Sequence, residues 1–462
     1  MVSISHLINS GLLLVGQNQY QDVASPQQAA VDNYNIARFL GGSGPYVQNP
    51  GYGISTEFPE GCKIQQVQLV SRHGERFPTA NSARNQIKIW NKFKQHNGTF
   101  NGALNFLNDY EFYAPDENYY GLETTPENSQ GLFSGTTDAL RRGAQFRAKY
   151  KDLYNANQTL PVFTSNSNRV HQTAQYFAQG FLGQGYSNPN AVKINILAEG
   201  ENTGANSMTP LDSCVAYDSD ENKNASSAYN DDWLKNLGDR LTKENPDIKL
   251  EKSEVATLFD WCAYELNVKG QSPVCDLFTN EDLVNYAYYD DLDKYYSHSF
   301  GNSLAQTVGS VPVNASLTLL KDDSADNKIW LSFTHDTDID LYGSALGLFE
   351  PKDPLPYNRI VFDRTYQHAN LVPQMSQWVL EKLQCSNETF VRYIVNDAVI
   401  PIEGIATGPG FSSPLKDYED YINKRLQGKN YIEQCNVPSN VSQSLTFYWD
   451  WKTKNYTAPL EV

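Results

Sequence analysis

Alternating apolar and polar positions predict a series of short strands along the chain. In residues 64–70, Ile64, Val67, Leu69 and Val70 lie between polar residues, which is typical of a half-buried strand. Comparable patterns predict strands at 162–164, 191–197 and 329–333. Two apolar runs, 391–395 and 398–402, flank Asn396-Asp397 and predict a β-hairpin.

Helical periodicity appears between these strands. Val170, Ala174, Phe177, Ala178 and Phe181 recur at the spacing of one helix face. Further helix-like stretches lie at 87–93, 138–150, 231–243, 253–266 and 280–296. Strands that alternate with helices predict an α/β fold with a mostly parallel sheet flanked by helices. We interpret the stretches at about 80–160 and 200–310 as insertions that form a smaller α-helical cap on a domain spanning residues 51–462.

Residues 1–50 are predicted to be an N-terminal arm or irregular lead-in. The segment 7–16 is mildly apolar, and Asp22-Val23-Ala24 would suit a signal-peptide cleavage site. However, no Lys or Arg precedes the segment, and Asn9 and Ser10 interrupt it. We therefore favour an amphipathic arm that packs on the body or on another subunit, with a separate leader preceding this numbering. Such an arm would offer a contact for a homo-oligomer.

Composition and charge exclude two classes of protein. The 462 residues are 40% hydrophobic, which is ample for a core, and carry a net charge of −17 from 36 basic and 53 acidic residues. A nucleic-acid binder needs a broad basic face, which this balance disfavours. No apolar stretch approaches the length of a membrane span.

Cysteines and sequons indicate an oxidising compartment. The six cysteines form no Cys-x-x-Cys pair and have no His at zinc-site spacing. Their even number fits three disulfides in a secreted or cell-wall protein, and buried free thiols are the alternative. Seven N-x-Ser/Thr sequons are candidate glycosylation sites, although the abundance of Asn, Ser and Thr would supply several by chance: Asn97, Asn157, Asn224, Asn314, Asn387, Asn440 and Asn455.

The strongest chemical motif follows the first strand and reads Arg72-His73-Gly74-Glu75-Arg76-Phe77-Pro78. The carboxyl ends of strands are where open α/β sheets place their ligands. Two arginines offer forked donors for phosphate oxygens, and a histidine between them could attack the phosphorus atom. Their positive charge would keep the imidazole neutral at mildly acid pH. The alternative is a surface basic loop with a structural histidine.

A second motif, Thr334-His335-Asp336-Thr337-Asp338, follows the strand at 329–333. Cleavage of a phosphomonoester needs a donor for the developing charge and a general acid for the departing alkoxide. Asp336 is the first candidate acid and Asp338 is its rival. The acidic spacing, continued by Asp340, also fits a metal loop or an aspartyl-nucleophile phosphatase. Leu341 stands where an EF-hand would need Gly.

A third candidate is Arg169, in the segment Ser165-Asn166-Ser167-Asn168-Arg169-Val170 between a strand and its helix. A helix N-terminus is a natural anion site. The alternative is an arginine that faces solvent.

These motifs together resemble the histidine acid phosphatase family, and within it the secreted yeast acid phosphatases and phytases. The resemblance covers nearly the whole chain. It implies the histidine phosphatase fold and a covalent phosphohistidine at His73. It also implies that Asp336 is the proton donor, that there is no metal or other cofactor, and that a phosphate pocket is formed by Arg72, Arg76, Arg169 and His335. Finally, it implies three disulfides: Cys62–Cys385, Cys214–Cys435 and Cys262–Cys275.

The predicted function is a secreted acid phosphomonoesterase with phytate as the substrate, and a broad-specificity acid phosphatase is the alternative. An inactive binding relative and a phosphotransferring mutase are the competing classes. Four basic residues after the first motif are candidates for contacts to distal phosphates, or else form a solvated helix face: Arg84, Lys88, Lys92 and Lys94.

Overall fold

The structure is a computed structural model that describes residues 34–130 and 134–461. The predicted signal peptide or packed arm in residues 1–24, and most of the oligomer contact it would provide, lie outside the described residues.

An eight-stranded sheet forms the centre, in the order β3-β2-β4-β1-β5-β6-β7, with β8 pairing to β6. The strands β3, β2, β4 and β1 pair in parallel, whereas the pairs from β1–β5 onward are antiparallel. The strands are β1 (Cys62–Arg72), β2 (Leu160–Ser165), β3 (Val192–Leu197), β4 (Ile329–Thr334), β5 (Gln377–Cys385), β6 (Glu388–Val395), β7 (Ala398–Ile400) and β8 (Ser413–Pro414). The predicted α/β fold is confirmed; of the sheet that was predicted to be mostly parallel, the half formed by β3, β2, β4 and β1 is parallel.

Helices cover both faces of this sheet and build a helical layer beside it. They are α1 (Tyr34–Ala37), α2 (Ala80–Lys94), α3 (Gly135–Lys149), α4 (Asn168–Leu182), α5 (Lys223–Ser227), α6 (Asp232–Thr242), α7 (Lys252–Lys269), α8 (Asn280–His298), α9 (Ala305–Lys321), α10 (Asp336–Leu346), α11 (His368–Leu371), α12 (Leu415–Arg425), α13 (Tyr431–Gln434) and α14 (Phe447–Asp450).

The sheet and the helical layer are built around different clusters of buried hydrophobic residues. One cluster joins α2, α6 and α7 through residues such as Phe93, Leu237 and Trp261. Another joins the parallel strands to α3 and α4 through residues such as Phe146 and Phe177. Helix α3 therefore packs on the sheet, although it lies within the predicted insertion at about 80–160. The division into domains stays a prediction.

Three disulfides join the same cysteine pairs that the resemblance implies. Cys62–Cys385 links the start of β1 to the end of β5, where the two residues are direct partners in the strand register. The other bridges are Cys214–Cys435 and Cys262–Cys275. Each closes a loop in the unfolded chain and so restricts its conformational freedom.

Sequence patterns miss β5 and α9. In β5, Glu381 and Lys382 are charged but buried: Glu381 pairs with Arg392 at 2.6 Å, and Lys382 Nζ donates to Leu320 O at 2.7 Å. Tertiary partners thus compensate charges that hide the strand pattern. Helix α9 contains Gly309 and Pro312, both poor helix formers, and packing stabilises it instead.

Candidate active site

The carboxyl ends of all four parallel strands converge on one group of charged side chains. Arg72 ends β1 and His73 follows it; His335 and Asp336 follow β4. Arg169 lies in the first turn of the helix after β2. Strand pairing brings these ends together because β1 and β2 both lie beside β4. The six residues predicted as catalytic or phosphate-binding therefore share one site.

His73 has a defined reactive nitrogen. Its side chain is buried, and Nδ1 lies 2.8 Å from the carbonyl oxygen of Gly74. A carbonyl only accepts hydrogen bonds, so Nδ1 carries the proton and Nε2 presents its lone pair. Burial lowers the pKa of His73 well below 6.5, and the charges of Arg72, Arg169 and Arg76 add to this effect. The imidazole is therefore neutral in acid solution, as a nucleophile must be.

Three arginines surround this histidine with unused donors. Arg72 Nη1 donates to Gly42 O and Val372 O, both at 2.5 Å, which fixes the guanidinium. Arg76 donates to Phe77 O at 2.9 Å. Within the described ranges, the buried Nε of Arg72, Arg76 and Arg169 has no hydrogen-bond acceptor. Buried donors without partners are rare, and here three of them belong to arginines whose charges all act on His73, which indicates an anion site.

The two rival carboxylates have different surroundings. Asp336 Oδ2 lies 2.8 Å from Arg72 Nη2, and about a third of this side chain is exposed. Burial alone would raise the pKa of Asp336, but Arg72 and His368 outweigh it and hold this pKa well below the usual range. Asp338 instead accepts from Thr334 Oγ1 at 3.3 Å and lines a small cavity beside Tyr448. Asp336 thus faces the arginines and Asp338 turns away from them.

The ring of His335 lies between the side chains of Glu199 and Arg169. Its Nε2 lies 2.7 Å from Glu199 Oε1, and its Nδ1 lies 3.4 Å from Arg169 Nη2. Its ring meets that of His73 edge to face, with 5.8 Å between the centroids. Burial would raise the pKa of Glu199, yet hydrogen bonding and the charge of His335 lower it to about 2.

Sequence reasoning missed three residues at this site. Glu199 follows β3 as His73 follows β1, so the strand-end rule could have found it. Gly42 lies beside Asp336 and Arg72, and only the glycine-rich run 41–44 pointed to it. His368 has no motif around it, and no sequence signal singles it out.

Comparison with known proteins agrees with this geometry. The profile of the histidine phosphatase superfamily (branch 2) matches residues 63–396. The chain belongs to this superfamily. "Phytase PHO112" of Candida albicans is 53% identical over 466 residues, with 100% of each chain covered. The "Repressible acid phosphatase" of Saccharomyces cerevisiae is 42% identical over 463 residues, covering 98% of this chain and 97% of the relative. The crystal structure of the phytase from D. castellii superposes with a TM-score of 0.91 at 50% identity and covers 96% of each chain.

In this histidine phosphatase, the four basic residues of α2 that were candidates for distal phosphate contacts have other surroundings in the structure. Lys92 forms an ion pair with Glu254, and Lys94 Nζ lies 5.8 Å from the centre of the Trp90 ring. Arg84 and Lys88 are exposed. Their predicted contact with distal phosphates stays a prediction.

Two further structural features concern metals and membranes. Among residues 34–130 and 134–461, no three His, Cys, Asp or Glu side chains are grouped so that they could hold a metal ion. In the same ranges, no helix combines the length and apolarity needed to cross a membrane.

Proposed function

We propose that this histidine phosphatase is an acid phosphomonoesterase that hydrolyses phytate, myo-inositol hexakisphosphate, through a phosphohistidine on His73. One observation carries the proposal: the neutral His73 imidazole lies among three arginines whose buried Nε–H groups lack acceptors in the described part of the chain. A phosphate group would supply the missing acceptors, and its phosphorus atom would then face Nε2.

In the first step, the Nε2 lone pair of His73 attacks phosphorus and the ester P–O bond breaks. The arginines stabilise the charge on the transferring oxygens. Asp336 gives its proton to the departing alkoxide, which leaves as an alcohol. A bound phosphate competes for Arg72 and brings negative charge next to Asp336. Both effects raise the pKa of Asp336 and prepare it to carry that proton.

In the second step, water attacks the phosphorus and the P–N bond to His73 breaks. The Asp336 carboxylate, left ionised by the first step, takes the proton of the attacking water. Inorganic phosphate leaves, and the neutral imidazole is restored with its Nδ1–H still donating to Gly74 O.

The choice of phytate is supported by the relatives. The proteins named phytases are 53% and 50% identical to this chain, whereas the repressible acid phosphatase of Saccharomyces cerevisiae is 42% identical. A broad-specificity acid phosphatase is the second candidate, because the site itself only requires one phosphate group.

The test compares rates on phytate, glycerol 2-phosphate and p-nitrophenyl phosphate between pH 3 and 7, with and without EDTA. We expect phytate to be the preferred substrate, EDTA to have no effect, and His73→Ala to be inactive. Acid quenching during turnover should trap acid-labile phosphate on His73. Phosphate trapped on Asp336, or activity that disappears with EDTA, would overturn the mechanism; equal rates on all substrates would support the broad phosphatase.

We also propose that the protein is secreted or cell-wall bound and N-glycosylated. Three disulfides support an oxidising compartment. All seven sequon asparagines are exposed, as glycan attachment requires: Asn97, Asn157, Asn224, Asn314, Asn387, Asn440 and Asn455. We expect endoglycosidase treatment of protein from a yeast host to lower its mass, and peptide mapping to locate the occupied sites. An unchanged mass would contradict glycosylation.

A further inference from the structure

His368 is a buried histidine outside the predicted motifs, and both of its ring nitrogens face carboxylates. Nδ1 lies 2.8 Å from Asp290 Oδ2 and Nε2 lies 3.4 Å from Asp340 Oδ2. The side chain is 2% exposed. Carboxylates only accept hydrogen bonds, so this arrangement is satisfied when both nitrogens carry protons and the ring is positively charged. A charged histidine in the interior therefore joins helices α8 and α10.

The His368 ring also lies next to Gly42, whose carbonyl oxygen accepts a hydrogen bond from Arg72. A β carbon placed on Gly42 would come within 2.7 Å of His368 Cε1 and 3.4 Å of Asp336 Oδ2. Gly42 O accepts from Arg72 Nη1, and so does Val372 O, just beyond α11. The two carbonyls that fix Arg72 thus come from the segments that enclose His368.

We propose that His368 is a positioning residue: its charge, held between Asp290 and Asp340, supports the Arg72–Asp336 pair and governs how readily Asp336 takes up the proton for the leaving alcohol. This inference deepens the proposed function and rests on it. His368 itself does not touch the reacting atoms.

The charges around His368 agree with this role. Burial alone would lower the pKa of His368, but Asp290 and Asp340 raise it to about 10. The charged or titratable groups that surround the cluster are Asp290, Asp291, Lys294 and His298 from α8, Asp336 and Asp340 from α10, Arg72 from β1, and Arg364 and Tyr366 before α11. His368 bridges the two helices directly, through Asp290 and Asp340.

A fixed positive charge near Asp336 stabilises its ionised form. Its removal should therefore let Asp336 keep its proton to higher pH in the enzyme–substrate complex. Since the pH dependence of kcat reports groups in that complex, the upper limb of the kcat profile should move to higher pH. A residue that only fills space would change the size of kcat but not the position of this limb.

The first experiment measures kcat for glycerol 2-phosphate from pH 3 to 8 in wild type, His368→Gln and the control His298→Gln. His298 ends α8, the helix that carries Asp290, but burial lowers its pKa, so this histidine is neutral near pH 7. We expect the upper limb of the kcat profile to move to higher pH by about one unit in His368→Gln, as for loss of a nearby opposite charge. The limb should stay in place in His298→Gln. A limb that stays in place in folded His368→Gln overturns the proposal.

A second measurement needs no variant of His368 and no turnover. In wild-type protein with ¹³C-labelled histidine, the seven histidines give separate Cε1 signals across pH 4–8. We expect one signal to stay at the imidazolium position at pH 8 and to persist in His298→Gln. If every signal moves to the neutral position by pH 8, the proposal fails even where phosphatase activity is present. If the charged signal persists in a protein without phosphatase activity, the proposed function fails instead.

Discussion

At the scale of single residues, neighbours decide which atom of a side chain reacts. The Gly74 carbonyl places the His73 proton on Nδ1 and leaves Nε2 free. Asp336 and Asp338 are chemically identical and two residues apart, yet only Asp336 meets Arg72, at 2.8 Å. Asp338 is bonded to Thr334, and burial raises its pKa well above the usual range. The choice of Asp336 as the proposed acid therefore rests on its contact with Arg72 and not on residue type.

This assignment makes a prediction about leaving groups. Asp336→Asn should lower kcat for glycerol 2-phosphate by about 10²–10⁴-fold, the usual range for a general acid, and lower it far less for p-nitrophenyl phosphate. The nitrophenolate leaves without a proton, whereas an alkoxide does not. Asp338→Asn is the matched control and should change both rates little. Equal losses on the two substrates in Asp336→Asn would instead indicate a structural role.

At the scale of elements, the turn after β1 rests on a buried carboxyl group. Glu123 Oε1 accepts from Gly74 N at 3.1 Å and from Thr173 Oγ1 at 2.6 Å. A β carbon on residue 74 would overlap this oxygen, so the turn requires glycine. Burial raises the pKa of Glu123 well above its ordinary value, and the nearby Glu75 adds to the shift. Acid solution therefore favours the protonated form of Glu123, which supports the turn that follows His73.

The sign of this shift predicts how stability changes with pH. An unfolded chain releases the Glu123 proton near pH 4.3, whereas the folded chain retains it to higher pH, so this group destabilises the fold as pH rises above that value. Glu123→Gln mimics the protonated form. In this variant, the free energy of unfolding should therefore fall less steeply with pH than in wild type, by about 1.4 kcal/mol per pH unit. Urea unfolding at pH 5, 6 and 7 measures it, with the exposed Glu127→Gln as control. Parallel pH curves for Glu123→Gln and wild type would contradict the shift.

At the scale of the whole molecule, the net charge opposes the local charge of the site. The chain carries −17 near neutrality, so its overall field repels a polyanion such as phytate. The arginine group must overcome that field over a short range. Lower pH protonates part of the 53 acidic residues and weakens the repulsion.

We therefore expect a bell-shaped kcat/KM with its maximum at mildly acid pH. Protonation of His73 limits activity on the acid side, and loss of the Asp336 proton limits it on the other. Added salt should lower kcat/KM for phytate more than for a monophosphate, because it screens the attraction of the arginines for the more highly charged ligand. Initial rates from pH 3 to 8 at two ionic strengths measure both effects. A maximum above pH 7, or equal salt effects on the two substrates, would be the contrary outcome.

The sequence alone determined the features that depend on local pattern. The residues around His73, Arg169 and Asp336 follow predicted strands, and parallel strands bring such ends to one edge of a sheet. That rule singled out the three motifs as candidates, and the resemblance to the histidine acid phosphatases implied that six of their residues form one pocket. The sequence also indicated the α/β class, because the strand and helix periods alternate along the chain.

Tertiary structure decided everything that depends on distant partners. Strand β5 is hidden in the sequence because the charges of Glu381 and Lys382 are paired, with Arg392 and Asp323, only in the fold. The choice of Asp336 over Asp338 needed the position of Arg72, more than 250 residues earlier. His368 lies among carboxylates from two other helices, so its charge arises entirely from packing. Local pattern places residues at the ends of elements, whereas burial and long-range charge set their protonation, and these exist only in the folded chain.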